Sequence, residues 1–141
     1  MTITTKPSGV KISKRELFPK AVREILSEYD MGELPVSMHA SDATAEELGT
    51  TDDGVFGLDL LRFPARGCVP MHTHPGAHIL IVIAGNGFLH TPDDKIELFP
   101  GLSYVVPEGV PHEIRADRPL SLLSCGNKRR PPESPERLSV C

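Results

Sequence analysis

Four histidines stand at spacings that suit a single metal ion: His72, His74, His78 and His112. His72, His74 and His78 lie between Gly67 and Gly85, and His112 closes a run that starts at Gly101 and carries Pro107 and Gly109. In a strand, alternate side chains share a face, so His72 and His74 point the same way. His78 is a further even step on, and a bend at Pro75 and Gly76 can carry it back beside the pair. One histidine on a strand is ordinarily structural. Four of the chain's six histidines in two short segments favour a ligand set.

Imidazole nitrogen suits zinc, iron, copper and nickel, and also holds manganese. Four neutral imidazoles leave the full charge of a divalent transition metal uncompensated. Such a site lowers the pKa of bound water and favours a small anionic substrate. In a six-coordinate ion two positions stay open. They suit a chelating substrate with two oxygens, such as a β-diketone, a keto acid or an enediolate. Iron and manganese, the metals favoured here, add dioxygen chemistry. Zinc or nickel would direct the site to isomerase, cyclase or lyase reactions. Tyr104 and Arg62 are the candidate catalytic residues: Tyr104 precedes His112, and Arg62 could bind a substrate carboxylate if its strand face lines the interior. Asp59, Glu97 and Glu113 are candidates to orient the imidazoles. His39, His90 and Cys68 stand outside this set, with ordinary structural placement expected. No Ser/His/Asp set and no phosphate-binding glycine loop occurs.

The elements that must position these residues read mostly as strands. Val55 to Phe63, Val69 to Thr73, His78 to Ala84, Phe88 to Thr91, Lys95 to Phe99, Ser103 to Val106, His112 to Ala116 and Leu120 to Cys125 alternate with turn residues. Pro92, Asp93 and Asp94 mark a hairpin. The spacing favours an all-β sandwich or barrel. In the run from Phe56 to Arg62, Phe56, Leu58, Leu60 and Arg62 share one face. His78 to Ala84 is apolar on both faces and must be covered on both sides, the outer one by the N-terminal helix, the second sheet layer or another subunit. Lys14 to Tyr29 reads as a short N-terminal helix, with Pro19 near its start. Leu34 to Met38 reads as a short strand, and Ser41 to Gly49 as a single capped helical turn. The domains expected are a flexible arm over residues 1–12, the helix and a connecting segment over 13–53, the barrel over 54–125, and an exposed tail over 126–141.

The two histidine segments resemble the paired motifs of the cupin superfamily. The first follows glycine, His-x-His, three residues, a ligand, six residues, glycine, here Gly67, His72, His74, His78 and Gly85. The second follows Gly-x5-Pro-x-Gly-x2-His, here Gly101, Pro107, Gly109 and His112. The gap before His72 is four residues where five is usual, and His78 stands where glutamate is usual. The resemblance is therefore to small single-domain cupins with a four-histidine site. It implies a cupin-type jelly-roll β-barrel with the metal inside, often as a homodimer. The expected activity is that of a metal-dependent enzyme, an oxidoreductase of dioxygenase type. A zinc- or nickel-dependent isomerase, cyclase or lyase, or a non-catalytic binding cupin, is the alternative.

Bulk properties narrow the classes. A net charge of −4 gives no basic face for nucleic acid. The longest apolar run, Ile79 to Ala84, is far too short for a membrane span, and the N-terminus lacks a signal core, so a cytoplasmic protein is expected. Cys68, Cys125 and Cys141 form no CxxC pair, which argues against a disulfide framework or thiolate zinc site.

Overall fold

The computed structural model describes residues 3–5, 9–13, 17–32 and 36–141. Period-two alternation of apolar side chains builds two antiparallel sheets. One has seven strands, in spatial order β1 (Ile3–Thr5), β2 (Lys11–Ser13), β9 (Ser103–Val106), β6 (His78–Ala84), β11 (Leu120–Gly126), β4 (Gly57–Phe63) and β3 (Thr44–Thr50). The other has five, in the order β12 (Ser139–Val140), β5 (Cys68–Thr73), β10 (His112–Ala116), β7 (Gly87–His90) and β8 (Lys95–Leu98). The protein is mostly β, and this two-sheet arrangement fits the expected jelly roll.

The inner faces meet in one apolar core. Val82 and Leu122 are cross-strand partners on β6 and β11, and neither exposes any surface. Each such fully buried side chain contributes about 1.5–3 kcal/mol. On β6 the inner positions are Leu80, Val82 and Ala84, while Ile79 on the outer face stays 50% exposed. The double-sided apolar pattern is thus covered on the inside, and only partly covered outside, where α1 (Lys20–Ser27) lies against β6.

Four expectations change. The helix spans only Lys20–Ser27, after Pro19 in extended backbone (ψ 154°), and residues 14–16 lie outside the described residues. Leu17 instead donates its N–H to the carbonyl of Gly101, which ties the chain to the barrel before the helix can start. Ser41 to Gly49 is no helical turn. Thr44–Thr50 forms β3 along the open edge of β4, and pairing with that edge outweighs local helix preference. The Ser41 hydroxyl accepts from Ala43 N–H and so caps a turn. Of the arm over residues 1–12, Lys11 and Ile12 pair with Val105 and Tyr104, and Val10 is fully buried. Residues 1, 2 and 6–8 lie outside the described residues. Leu34 and Pro35 do too, and Ser37 makes a single bridge to Thr44.

The largest change is at the C-terminus. The segment 126–141 is not a free tail: Gly126 ends β11, and the rest, though largely exposed, is tied to the barrel. Arg137 and Leu138 are 7% and 4% exposed, and β12 pairs with β5 through Ser139↔Thr73 and Val140↔His72. The cause is Asp59, which β4 places on the inner side at 2% exposure. A buried carboxylate needs cationic partners. Arg129 supplies a fork, with Nε to Oδ2 at 3.0 Å and Nη2 to Oδ1 at 2.7 Å. Arg137 adds Nη2 to Oδ2 at 3.2 Å.

Candidate metal centre

Register brings the histidines together. His112 on β10 is the cross-strand partner of His72 on β5, with ring centroids 4.3 Å apart. His74 follows β5 directly, and its ring lies 4.8 Å from that of His112. His72, His74 and His112 each offer a ring nitrogen within 4.8 Å of the others.

Main-chain carbonyls fix these three rings. His72 Nδ1 lies 2.6 Å from the carbonyl of Pro70, His112 Nδ1 2.8 Å from that of Val110, and His74 Nδ1 3.2 Å from that of Gly76. A carbonyl only accepts, so Nδ1 carries the proton in each and Nε2 presents its lone pair. This is the tautomer a metal requires. Burial keeps the rings neutral: it pulls His72 down to about 4 and His112 to about 3, and lowers His74 as well. The donor set therefore fits a divalent transition metal, and no proton competes for it at neutral pH.

His78 enters from the opposite sheet. The bend before it turns on Gly76, at φ +74°, where a side chain would run into Asn127. Glu108 accepts the N–H of Gly76 and Asn127 Oδ1 accepts that of Ala77, each at 2.8 Å. The His78 ring stacks on His74 at 4.0 Å and lies over Gly126, where a Cβ would stand 2.6 Å from the ring. Its Nδ1 meets the Ser124 hydroxyl at 3.1 Å. Burial pushes His78 down to about 2, so it too is neutral. His78 is beside the three-histidine cluster but not within its ring of converging nitrogens.

The cavity around the imidazoles has a volume of about 40 Å³. That is room for roughly three water-sized ligands. Met38, Leu61, Val69, Leu80, Ile114 and Leu138 make its apolar wall, and Ser124 and Arg137 add polar groups. Ser124 and Arg137 escape the sequence reading. Ser124 carries no motif. Arg137 lies in a Pro-rich segment whose burial depends on Asp59, more than seventy positions away.

The other candidates fall elsewhere. Arg62 does not line the cavity. On β4 the inner positions are Asp59, Leu61 and Phe63, so Arg62 faces outward, with its Nε lacking a partner among the described residues. The burial of Asp59 with two arginines selected that face. Tyr104 points inward, paired with Leu80, but is sealed in the core away from the cavity lining. Its hydroxyl has no partner among the described residues, and burial pushes its pKa well above the usual phenol value. The carboxylates expected to orient the imidazoles do not: Asp59 holds Arg129 and Arg137, Glu113 holds Arg115 at 2.9 Å, and Glu97 is exposed on β8. Cys68 lies by Glu113 at 3.8 Å, outside the cavity. His90 packs on Phe88 and His39 donates its backbone N–H to Pro132, and neither lines the cavity.

No curated protein matches the sequence. The polyketide cyclase RemF from Streptomyces resistomycificus is similar in structure at TM-score 0.58 and 25% identity, covering 73% of this chain and 80% of that one. A cupin-2 domain protein from Rhodospirillum rubrum, Rru_A2000, aligns at TM-score 0.60 and 18% identity, over 81% of this chain and 72% of that one. The salicylate 1,2-dioxygenase from Pseudoaminobacter salicylatoxidans, in its W104Y form with gentisate, aligns at TM-score 0.57 and 19% identity over 64% of this chain. The present chain spans only 26% of that dioxygenase's length. The family model described as "Cupin domain" matches residues 59–126, the stretch that carries all four histidines, so this chain has the cupin fold with a cupin-domain match centred on its histidine cluster.

Proposed function

We propose that this protein is a mononuclear metal-dependent enzyme acting on a small, anionic, oxygen-chelating substrate, with dioxygenase-type oxidation as its reaction. The observation that carries this reading is the convergence of one ring nitrogen from each of three histidines, on rings held by backbone carbonyls, inside a small apolar cavity. His72, His74 and His112 hold a divalent transition metal. His78 joins as fourth ligand by turning its ring away from Ser124. The metal, iron or manganese, supplies Lewis acidity and redox capacity. The chain's own residues do the rest. The carbonyls of Pro70, Gly76 and Val110 keep the imidazoles in one tautomer. Met38, Leu61 and Leu138 exclude bulk water. Neutral ligands leave the cavity electropositive, which selects an anion. We further propose a homodimer, which would cover the exposed outer face of β6 around Ile79, and a cytoplasmic location. No helix among the described residues is long and apolar enough to cross a membrane.

One observation favours a second reading, a zinc- or nickel-dependent cyclase: the likeness to RemF runs over four fifths of that protein's length. Metal analysis of protein purified without added metal, with oxygen uptake on keto acids and diketones, separates the two. Iron or manganese with substrate-dependent oxygen uptake supports the oxygenase. Zinc or nickel with turnover but no oxygen uptake supports the cyclase. A protein that retains no divalent metal and gains no thermal stability from any sinks both.

A further inference from the structure

One group in the cavity has no part in holding the histidines. Arg137 lines it beside the four imidazoles at 7% exposure. Its Nη2 donates to Asp59 and its Nη1 to the carbonyl of Arg130 at 2.8 Å. A guanidinium has five N–H groups. These two bonds use two of them.

Charge is shared unevenly here. Asp59 is the only buried carboxylate among the described residues, it is shared by two guanidiniums, and the exposed Glu133 also acts on both. Arg129 has the stronger claim, through a two-bonded fork, and also reaches the half-exposed Glu47 at 3.2 Å. Arg137 has one longer bond to the same oxygen. No carboxylate lines the cavity. A buried cation without a full counter-charge is costly, and a planar fork in that position matches a carboxylate.

We propose that Arg137 is the substrate-binding residue of this cavity, gripping a carboxylate of a small organic acid beside the histidine cluster. This rests on reading the cavity as a metal-dependent substrate pocket, and it moves to Arg137 the role that the sequence suggested for Arg62. It narrows the substrate class from oxygen chelators in general to carboxylic acids, so neutral diketones should bind poorly.

Arg137→Gln tests it. Asp59 keeps its fork to Arg129 in this variant, so the fold should survive. Wild type and variant are loaded with cobalt(II), checked by elemental analysis, and titrated with oxalate and with neutral imidazole by visible absorption. The variant should hold the same cobalt, bind oxalate at least tenfold more weakly, and bind imidazole within twofold of wild type. Equal oxalate affinity in both proteins overturns the proposal. If the variant does not fold, Arg137→Lys keeps the charge and loses the fork, and should weaken oxalate at least threefold; unchanged binding again overturns it. If wild type takes up no cobalt, the metal reading fails separately. The anchor is then read on metal-free protein, where oxalate should raise the melting temperature of wild type and not of Arg137→Gln. The absence of that rise in wild type overturns the anchor too.

Discussion

The two sheets build opposite walls of the cavity by different means. The five-stranded sheet contributes His72 and His112 from β5 and β10, with His74 just beyond β5, and each ring is held by a carbonyl within two residues of it in sequence. The seven-stranded sheet contributes His78 and Ser124 and anchors Arg137 through Asp59, and there each group is held by another side chain from far along the chain. Carbonyls come with the backbone and cannot be mutated away. Side-chain partners are separate residues, each of which can be lost. The first wall should therefore be robust to substitutions around it, and the second should fail wherever one partner is removed.

The largest expected effect falls on the second wall. Asp59→Asn leaves the buried guanidinium of Arg137 without its ion-pair partner and Arg129 with Glu47 alone, and breaking such a pair costs about 3–5 kcal/mol. Thermal unfolding should drop by roughly 10 °C. A drop of only a degree or two would show that solvent, rather than Asp59, balances Arg129 and Arg137. Next comes the direct contrast between the walls. His112→Ala should lower metal affinity by about a hundredfold or more, read as lost stoichiometric metal by elemental analysis. His78→Ala should lower it less, since His78 lies outside the converging three. Equal losses would show that His78 is a full ligand and that the two walls share the metal evenly. His78→Glu should retain metal and weaken oxalate binding, because the site loses one unit of positive charge.

A smaller effect concerns pH. In the metal-free protein all four imidazoles have folded pKa values below 6.5. The unfolded chain therefore binds more protons as acid is added. Stability from these groups is complete above about pH 6.5 and is lost as the pH falls toward the folded values, near 4 for His72. Melting with a chelator present should show a decline between pH 6.5 and 4.5 on the order of 2 kcal/mol for each ring that stays buried and neutral. A flat profile over that range would mean the rings are hydrated rather than buried. The smallest effect is that of Ser124→Ala. It removes one hydrogen bond worth about 1 kcal/mol and should alter metal affinity by less than tenfold. A larger change would place Ser124 in the binding machinery itself.

The sequence by itself determined the strands, the barrel and the histidines. Period-two alternation over Leu80, Val82 and Ala84 specifies the inner face locally, and even spacing alone puts His72 and His74 on one side. Pro107 and Gly109 mark a turn that needs no distant partner, closed by the Val110 N–H on the carbonyl of Pro107. Tertiary structure decided everything that depended on one charge. Leu58, Leu60 and Arg62 form as apolar a face of β4 as a reader could ask for, yet β4 turns Asp59 inward, because Arg129 and Arg137 arrive from the far end of the chain to neutralise it. That choice sends Arg62 outward, draws the C-terminal segment onto β5 and sets Arg137 beside the imidazoles. Likewise Thr44–Thr50 is a strand only because β4 offers it an unpaired edge. Periodicity is a property of neighbours in sequence. Burial of a charge is settled by partners that only the folded chain brings within about 3 Å.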